Sequence, residues 1–194
     1  MIGVLALQGA FIEHRAALSK VGAESREVRL PEHLDGLDGL IIPGGESTVI
    51  GKLMIREGLD AAIQDFAASG GAIWGTCAGM ILLARDVGRE QPLLGLLDID
   101  VERNAYGSQL QSFEESLALP DLGILDLRAV FIRAPIVSRV GDDVHVESVD
   151  GRDQIVAVSN GLILATAFHP ELTDDTRLHE RFVATARRKV ALAV

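Results

Sequence analysis

The 194-residue chain has one cysteine, few aromatics, a deficit of positive charge and no long apolar run. Each shortage removes a class of protein. A lone cysteine cannot close an internal disulfide, so a secreted, disulfide-stapled fold is excluded. No stretch approaches the roughly 18 consecutive apolar residues of a membrane span. Lys and Arg number 18 against 28 Asp and Glu, a net charge of −10. Phosphate contact needs a basic face, so this balance speaks against a general nucleic-acid binder and against docking on anionic membranes. Aromatics make up only 4% of the chain, which leaves Ala, Val, Leu and Ile to build the core. The apolar opening MIGVLALQGA lacks a basic n-region and soon meets Glu13, His14 and Arg15. It reads as a buried first strand rather than a signal peptide, and a cytoplasmic protein is expected.

What is present is a globular chain, 48% hydrophobic and 24% charged. Its length suits one domain over residues 1–194, burying about 70% of the unfolded surface. Through the first half, short apolar runs alternate with helical patterns. Strands are expected in IGVLALQ, ESREVRL, DGLIIPGG and GGAIWGTC. Helices are expected at about Phe11–Val21, Ser47–Arg56, Leu59–Ala68 and Ala78–Val87. Strands apolar on both faces, alternating with helices, predict an α/β fold. It has three layers, a mostly parallel, flavodoxin-like central sheet between helices. The second half offers strand-like segments near Asp98–Arg103, Leu127–Ile132, Val144–Val149, Gln154–Ser159 and Leu162–Phe168. Turn signals separate them, so antiparallel additions are expected there, closed by a helix over about Asp174–Ala191.

The single cysteine lies in GTCAGM, with Gly75 and Gly79 each two residues from Cys77. In an open α/β sheet, ligands bind outside the carboxyl ends of the strands, and Cys77 falls there, between a strand and a helix. G-x-C-x-G matches the nucleophile elbow better known with serine, in which small neighbours allow a tight turn that projects the reactive atom. The helix behind it offers free N–H groups and partial positive charge, which suit an anionic sulfur. The alternative is a small buried cysteine in a Gly-rich turn.

A nucleophile needs a base. His14 and His179 sit in charged helical stretches and His33 and His145 in loop or surface-strand contexts, so all four are expected at the surface. His169 closes an apolar strand in ATAFHPEL, followed by Pro170 and Glu171. Residues i and i+2 of an extended chain point the same way, and Pro170 favours extension before it, so Glu171 can orient the imidazole. A strand-end histidine beside a surface glutamate is the alternative. Together, Cys77, His169 and Glu171 favour a triad. The loop PGGES, Pro43–Ser47, can bring a backbone N–H to join that of Ala78 in an oxyanion hole; otherwise it is a Gly-rich turn with Ser47 as a helix N-cap. Neither a P-loop, nor G-x-G-x-x-G, nor a metal-ligating Cys/His cluster occurs.

GTCAG, FHPE and PGGES together resemble the triad-type, class I glutamine amidotransferases. LALQGA at 5–10, PGGEST at 43–48, ERNAYGSQ at 102–109, FIRAP at 131–135 and FHPELT at 168–173 narrow this. They resemble the glutaminase-subunit family of two-component pyridoxal 5′-phosphate synthases. Other branches usually carry Gln just after the Cys core, where this chain has Met80 and Ile81. The resemblance implies Cys77 as nucleophile, His169 as base and Glu171 as its orienting partner. It implies Gly45, Glu46, Ser47, Arg103, Ile132 and Arg133 as glutamine-binding positions, and Gly45 with Ala78 as the oxyanion hole. Arginine suits the amino-acid carboxylate through bidentate hydrogen bonds. The family usually reads R-N-x-F-G-R-Q, whereas this chain has Tyr106 and Ser108.

The reaction implied is hydrolysis of L-glutamine to L-glutamate and ammonia, with no cofactor or metal, ammonia passing to a separate synthase subunit. Docking of that subunit is expected to reorient the backbone near Gly44 and Gly45, with Gln8 close by. A cysteine peptidase would show the same elbow but leave PGGES, Arg103 and FIRAP without a purpose. A non-catalytic regulatory subunit would have no need of an intact Cys, His and Glu.

Overall fold

The computed structural model of the chain describes residues 1–106 and 112–192. Its centre is a set of parallel strands, β1 (Ile2–Leu5), β3 (Gly39–Ile42) and β4 (Ala72–Thr76) buried on both faces and β2 (Ser25–Val28) part-buried at the edge. Between them run α1 (Phe11–Lys20), α2 (Ser47–Glu57) and α3 (Leu59–Ala68), and α4 (Ala78–Leu83) follows β4. The later strands are β5 (Ile99–Glu102), β6 (Ser112–Leu119), β7 (Ile124–Ile132), β8 (Ile136–Val140), β9 (His145–Val149), β10 (Ile155–Ser159) and β11 (Ile163–Thr166). The last helix is α5 (Arg177–Leu192).

Among the described residues the main sheet runs β2-β1-β3-β4-β11-β10-β8-β5, with β9 against β10. From β2 to β11 every pairing is parallel, in the doubly wound order 2-1-3-4-5 with β11 in fifth place. Beyond β11 the pairings are antiparallel. The expected α/β class and antiparallel extension are both present.

Alternation along β4 sorts the layers. Trp74 and Thr76 point to α1 and α5, where the indole meets the rings of His14, His179 and Phe182. Gly75 points the other way, towards α4, which packs beside α2. One apolar cluster extends from Ile2 to Ala186, built mainly of aliphatic residues with Trp74, Phe131 and Phe168 as its largest buried side chains.

Three local expectations need correction. The helix after Cys77 ends at Leu83, because Ala84 is extended and Arg85 turns to donate its N–H to the Ile99 carbonyl. β6 and β8 were not anticipated from the sequence. β6 pairs with β7 as a separate two-stranded ribbon from Ser112↔Ile132 to Leu119↔Ile124, and its outer positions include exposed Glu114.

Candidate active site

The carboxyl ends of β1, β3, β4 and β11 converge on one cleft of about 370 Å³, within the range of small-molecule sites. Two larger clefts, about 560 and 610 Å³, are lined by neither cysteine nor histidine, the second adjoining the site through Arg103 and Asn104, so chemistry rather than size locates the site. Cys77 stands at the start of α4 with φ 49° and ψ −101°, a strained backbone for any residue with a side chain. Its N–H donates to the Thr166 carbonyl at 2.8 Å, tying the turn to β11. The flanking glycines are steric necessities. A Cβ on Gly79 would be driven into the Ile42 carbonyl, and one on Gly75 into the Gly79 backbone. Of the four non-glycine residues with positive φ among those described, Cys77, Asn104 and Arg133 all line the cleft. Such clustering of backbone strain is characteristic of functional sites.

His169 is fixed by its own N–H, which donates to Val130 in β7 at 2.8 Å. Its Nδ1 lies 2.7 Å from Glu171 Oε1. The contact arises differently from the extended i, i+2 geometry expected, because a 3₁₀ turn over Pro170–Leu172 brings the carboxylate back under the ring. Burial alone would lower the basicity of His169. The Cys77 sulfur and the Glu171 carboxylate outweigh it through hydrogen bonds and charge, and push the imidazole up to about 10. For Glu171 burial likewise opposes the charge, but the imidazoles of His14 and His169 hold the carboxyl below its usual range.

The PGGES loop is held from both sides by the loop after β1. Ala10 N–H donates to the Gly44 carbonyl at 3.0 Å, and Gln8 Oε1 accepts the Glu46 N–H at 2.8 Å. Gly9, at φ +102°, permits this approach, since a Cβ there would collide with the Gly44 carbonyl. Because the peptide is trans, the Gly45 N–H points away from the Ala10 side. Glu46, not Ser47, caps α2, accepting from the N–H groups of Thr48 and Val49. Ser47 lies inside the helix, and its buried hydroxyl has no hydrogen-bond partner among the described residues.

Arg103 reaches Gln91 Oε1 at 2.8 Å and Glu46 Oε1 at 3.3 Å. Ile132 presents its carbonyl to the Cys77 sulfur at 4.0 Å, and Arg133 lines the cleft with an exposed side chain. The structure therefore brings Cys77, His169, Gly45, Glu46, Ser47, Ala78, Arg103, Ile132 and Arg133 around one cavity, with Glu171 directly behind His169. Ser108 lies outside the described residues. The Tyr106 hydroxyl, absent from a phenylalanine, donates to buried Asp150 at 2.7 Å.

Sequence reasoning missed Gln91, which orients Arg103, and misplaced two histidines. His14 and His179 are fully buried rather than exposed. Their rings face each other, with His14 Nδ1 3.0 Å from His179 Nε2. The helical spacing of His14, Ala17 and Leu18, and of His179, Phe182, Val183 and Ala186, marks the buried faces. Burial is the largest influence on both imidazoles and lowers their basicity, to about 3 for His179. The unfolded chain therefore takes up protons that the folded chain refuses. Stability from the neutral pair is complete above about pH 6.5 and is lost as pH falls, at up to about 1.4 kcal/mol per pH unit for each histidine. Thermal melts should accordingly fall between pH 6.5 and 5, below the range in which the raised His169 works the other way, and a flat melting temperature across that interval would contradict neutral burial.

A thiol on a strand–helix elbow, facing an imidazole–carboxylate pair across a Gly-rich loop, is the architecture of α/β amidotransferases acting through cysteine. The chain belongs to the SNO glutamine amidotransferase family, whose profile matches residues 4–188. It is 55% identical over 186 residues to the pyridoxal 5′-phosphate synthase subunit PdxT of Herpetosiphon aurantiacus, covering 94% of this chain and 98% of the relative. It is 53% identical over 193 residues to the subunit of that name from Deinococcus radiodurans, covering 95% and 96%. A glutamine amidotransferase crystal structure superposes with a TM-score of 0.92 at 49% identity, over 96% of this chain and 98% of that one. A PurLQS chain from Thermotoga maritima shares the fold alone, with a TM-score of 0.66 at 20% identity over 94% and 96%. No described helix is long and apolar enough to cross a membrane.

Proposed function

We propose that the chain acts as one domain over residues 1–194 that hydrolyses L-glutamine to L-glutamate and ammonia, with Cys77, His169 and Glu171 as its triad. The observation that carries this reading is the strained Cys77 elbow beside an imidazole raised in basicity by both the sulfur and Glu171. His169 takes the thiol proton, and the sulfur attacks the side-chain amide carbon. The N–H groups of Gly45 and Ala78 receive the developing oxyanion. His169 returns its proton to the departing nitrogen, and water, activated by the same imidazole, cleaves the γ-glutamyl thioester. The cleft offers matching charges for the amino-acid end: Arg133 and Arg103 for the carboxylate, Glu46 for the ammonium, and the unpaired Ser47 hydroxyl as a further contact.

The relatives' shared name supports ammonia delivery to a separate synthase subunit for pyridoxal 5′-phosphate formation. We place the protein in the cytoplasm, where the thiol is kept reduced. In the free chain the Gly44 carbonyl and the Glu46 N–H are tied to the Gln8–Ala10 loop. Docking that displaces this loop would free the PGG backbone to turn a donor to the oxyanion. Ammonia release should be low for the chain alone and rise by more than about tenfold when the synthase subunit is added. A glutamine-analogue electrophile should label Cys77, read by peptide mass. No label on Cys77 in the complex would overturn the catalytic reading, and equal rates with and without bound partner would overturn the activation.

A further inference from the structure

Behind the triad lies a buried imidazole for which the reaction as written has no use. His14, projecting from α1, places Nε2 3.4 Å from Glu171 Oε2 and 3.1 Å from Thr76 Oγ1. Its Nδ1 meets His179 Nε2 at 3.0 Å. Glu171 uses Oε1 for His169, while Oε2 is buried with no hydrogen bond among the described residues. A buried carboxylate oxygen left without a donor is costly, and the group facing it is His14.

We propose that His14 is a positioning residue of the glutaminase reaction: its Nε2 faces Glu171 Oε2 and steers the carboxylate so that Oε1 meets His169, with His179 fixing the His14 tautomer. This rests on the triad reading given above. Tautomer logic supports it. With the proton on Nε2, His14 Nδ1 accepts from His179 Nε2–H, and Glu171 Oε2 faces a donor. The unpartnered atom is then His179 Nδ1, a neutral acceptor, and it is indeed the buried ring nitrogen without a partner. With the proton on Nδ1 instead, a lone pair would face a carboxylate oxygen at 3.4 Å, which is repulsive. In this structure Thr76 Oγ1 lies nearer to Nε2 than Glu171 Oε2 does, and the longer contact is expected to tighten in the complex, as catalytic hydrogen bonds do.

The neutral state matters as well as the direction. A charged His14 would compete with His169 for the Glu171 carboxylate. The titratable groups that act on it are Glu171 and His169 after β11, His179 on α5 and Glu13 on its own helix. Burial outweighs the attraction of Glu171 and lowers the basicity of His14, so the full charge of Glu171 remains for the imidazolium of His169.

The test compares His14→Leu, which removes the donor, with His14→Gln, whose amide nitrogen reaches the place of Nε2. Both are assayed with the synthase subunit present, beside Cys77→Ala. His14→Leu should lose roughly 10–100-fold in kcat at unchanged KM, the range of outer-shell orienting contacts. The acid limb of its kcat/KM profile should move up by about half a pH unit or more, because Glu171 loses a donor to its charged form. His14→Gln should stay within about threefold of the parent, since a neutral donor is restored. A His14→Leu protein with parental kcat and pH profile, or a His14→Gln as slow as His14→Leu, would overturn the inference. Nitrogen-15 spectra of histidine-labelled, unmutated protein supply a second reading independent of variant folding: Nε2–H on His14 is expected, and Nδ1–H overturns it. Normal His14 variants beside a dead Cys77→Ala would remove this inference alone, whereas an active Cys77→Ala would remove the triad beneath it.

Discussion

Replacing Cys77 by alanine should leave the melting transition near that of the parent while lowering glutamine hydrolysis by about 10⁴–10⁶. The fold is expected to survive because the elbow is held by backbone: the Cys77 N–H to Thr166, the Gly75–Gly79 approach and the parallel pairing of β4 with β3 and β11. The sulfur itself holds little of the fold: it meets the Ile132 carbonyl at 4.0 Å and the His169 ring. Chemistry, in contrast, has no substitute for it. A water attacking in its place would lack both the nucleophilicity and the position of the elbow atom. Ammonia release by the complex at saturating glutamine is the measurement, and a folded Cys77→Ala protein of near-parental rate would end the assignment.

His169→Asn should be nearly as damaging, by about 10⁴ or more, because the base both takes the thiol proton and returns it to the leaving nitrogen. Glu171→Gln should lose less, at most about 10⁴. Its amide keeps an oxygen for His169 Nδ1 but presents its nitrogen to His14, forcing a change of tautomer or a rotation. The order of the two rates is the discriminating result. A Glu171→Gln enzyme slower than His169→Asn would mean that the carboxylate does more than orient and stabilise the imidazolium.

The parallel strands and the grouping of Cys77, His169 and Glu171 were legible because each writes itself locally. β1, β3 and β4 are buried on both faces, so they appear as unbroken apolar runs, and the elbow needs its glycines within two residues of Cys77. Arg103, Ile132 and Arg133 could be named only through resemblance, because nothing near them in sequence says that β5 and β7 end at the same cleft. His14 and His179 were misread from their charged neighbours. Their partners lie 165 residues apart in the chain, and only the helical period pointed inward. β6 escaped notice because one face of a two-stranded ribbon stays wet, and Glu115 interrupts its apolar side between Phe113 and Leu117. Ser47 as helix N-cap was the alternative that propensity offered, but the longer Glu46 side chain reaches two N–H groups and leaves the serine hydroxyl free of that duty.

The close approach of Gly9 to the Gly44 carbonyl, and of Gly44 to the His169 ring, bears on how this enzyme could be re-engineered. One wall of the cleft is main chain packed on main chain and on the His169 ring. Random mutagenesis there has no side chain to exchange, only backbone to break. A laboratory search for variants that accept a longer or bulkier amide would find exchangeable side chains instead at Ile81, Asn104 and Ile132, which also line the cleft. Substrate scope is thus open to change through side chains, while the Gly9–Gly44 wall has to be left as it is.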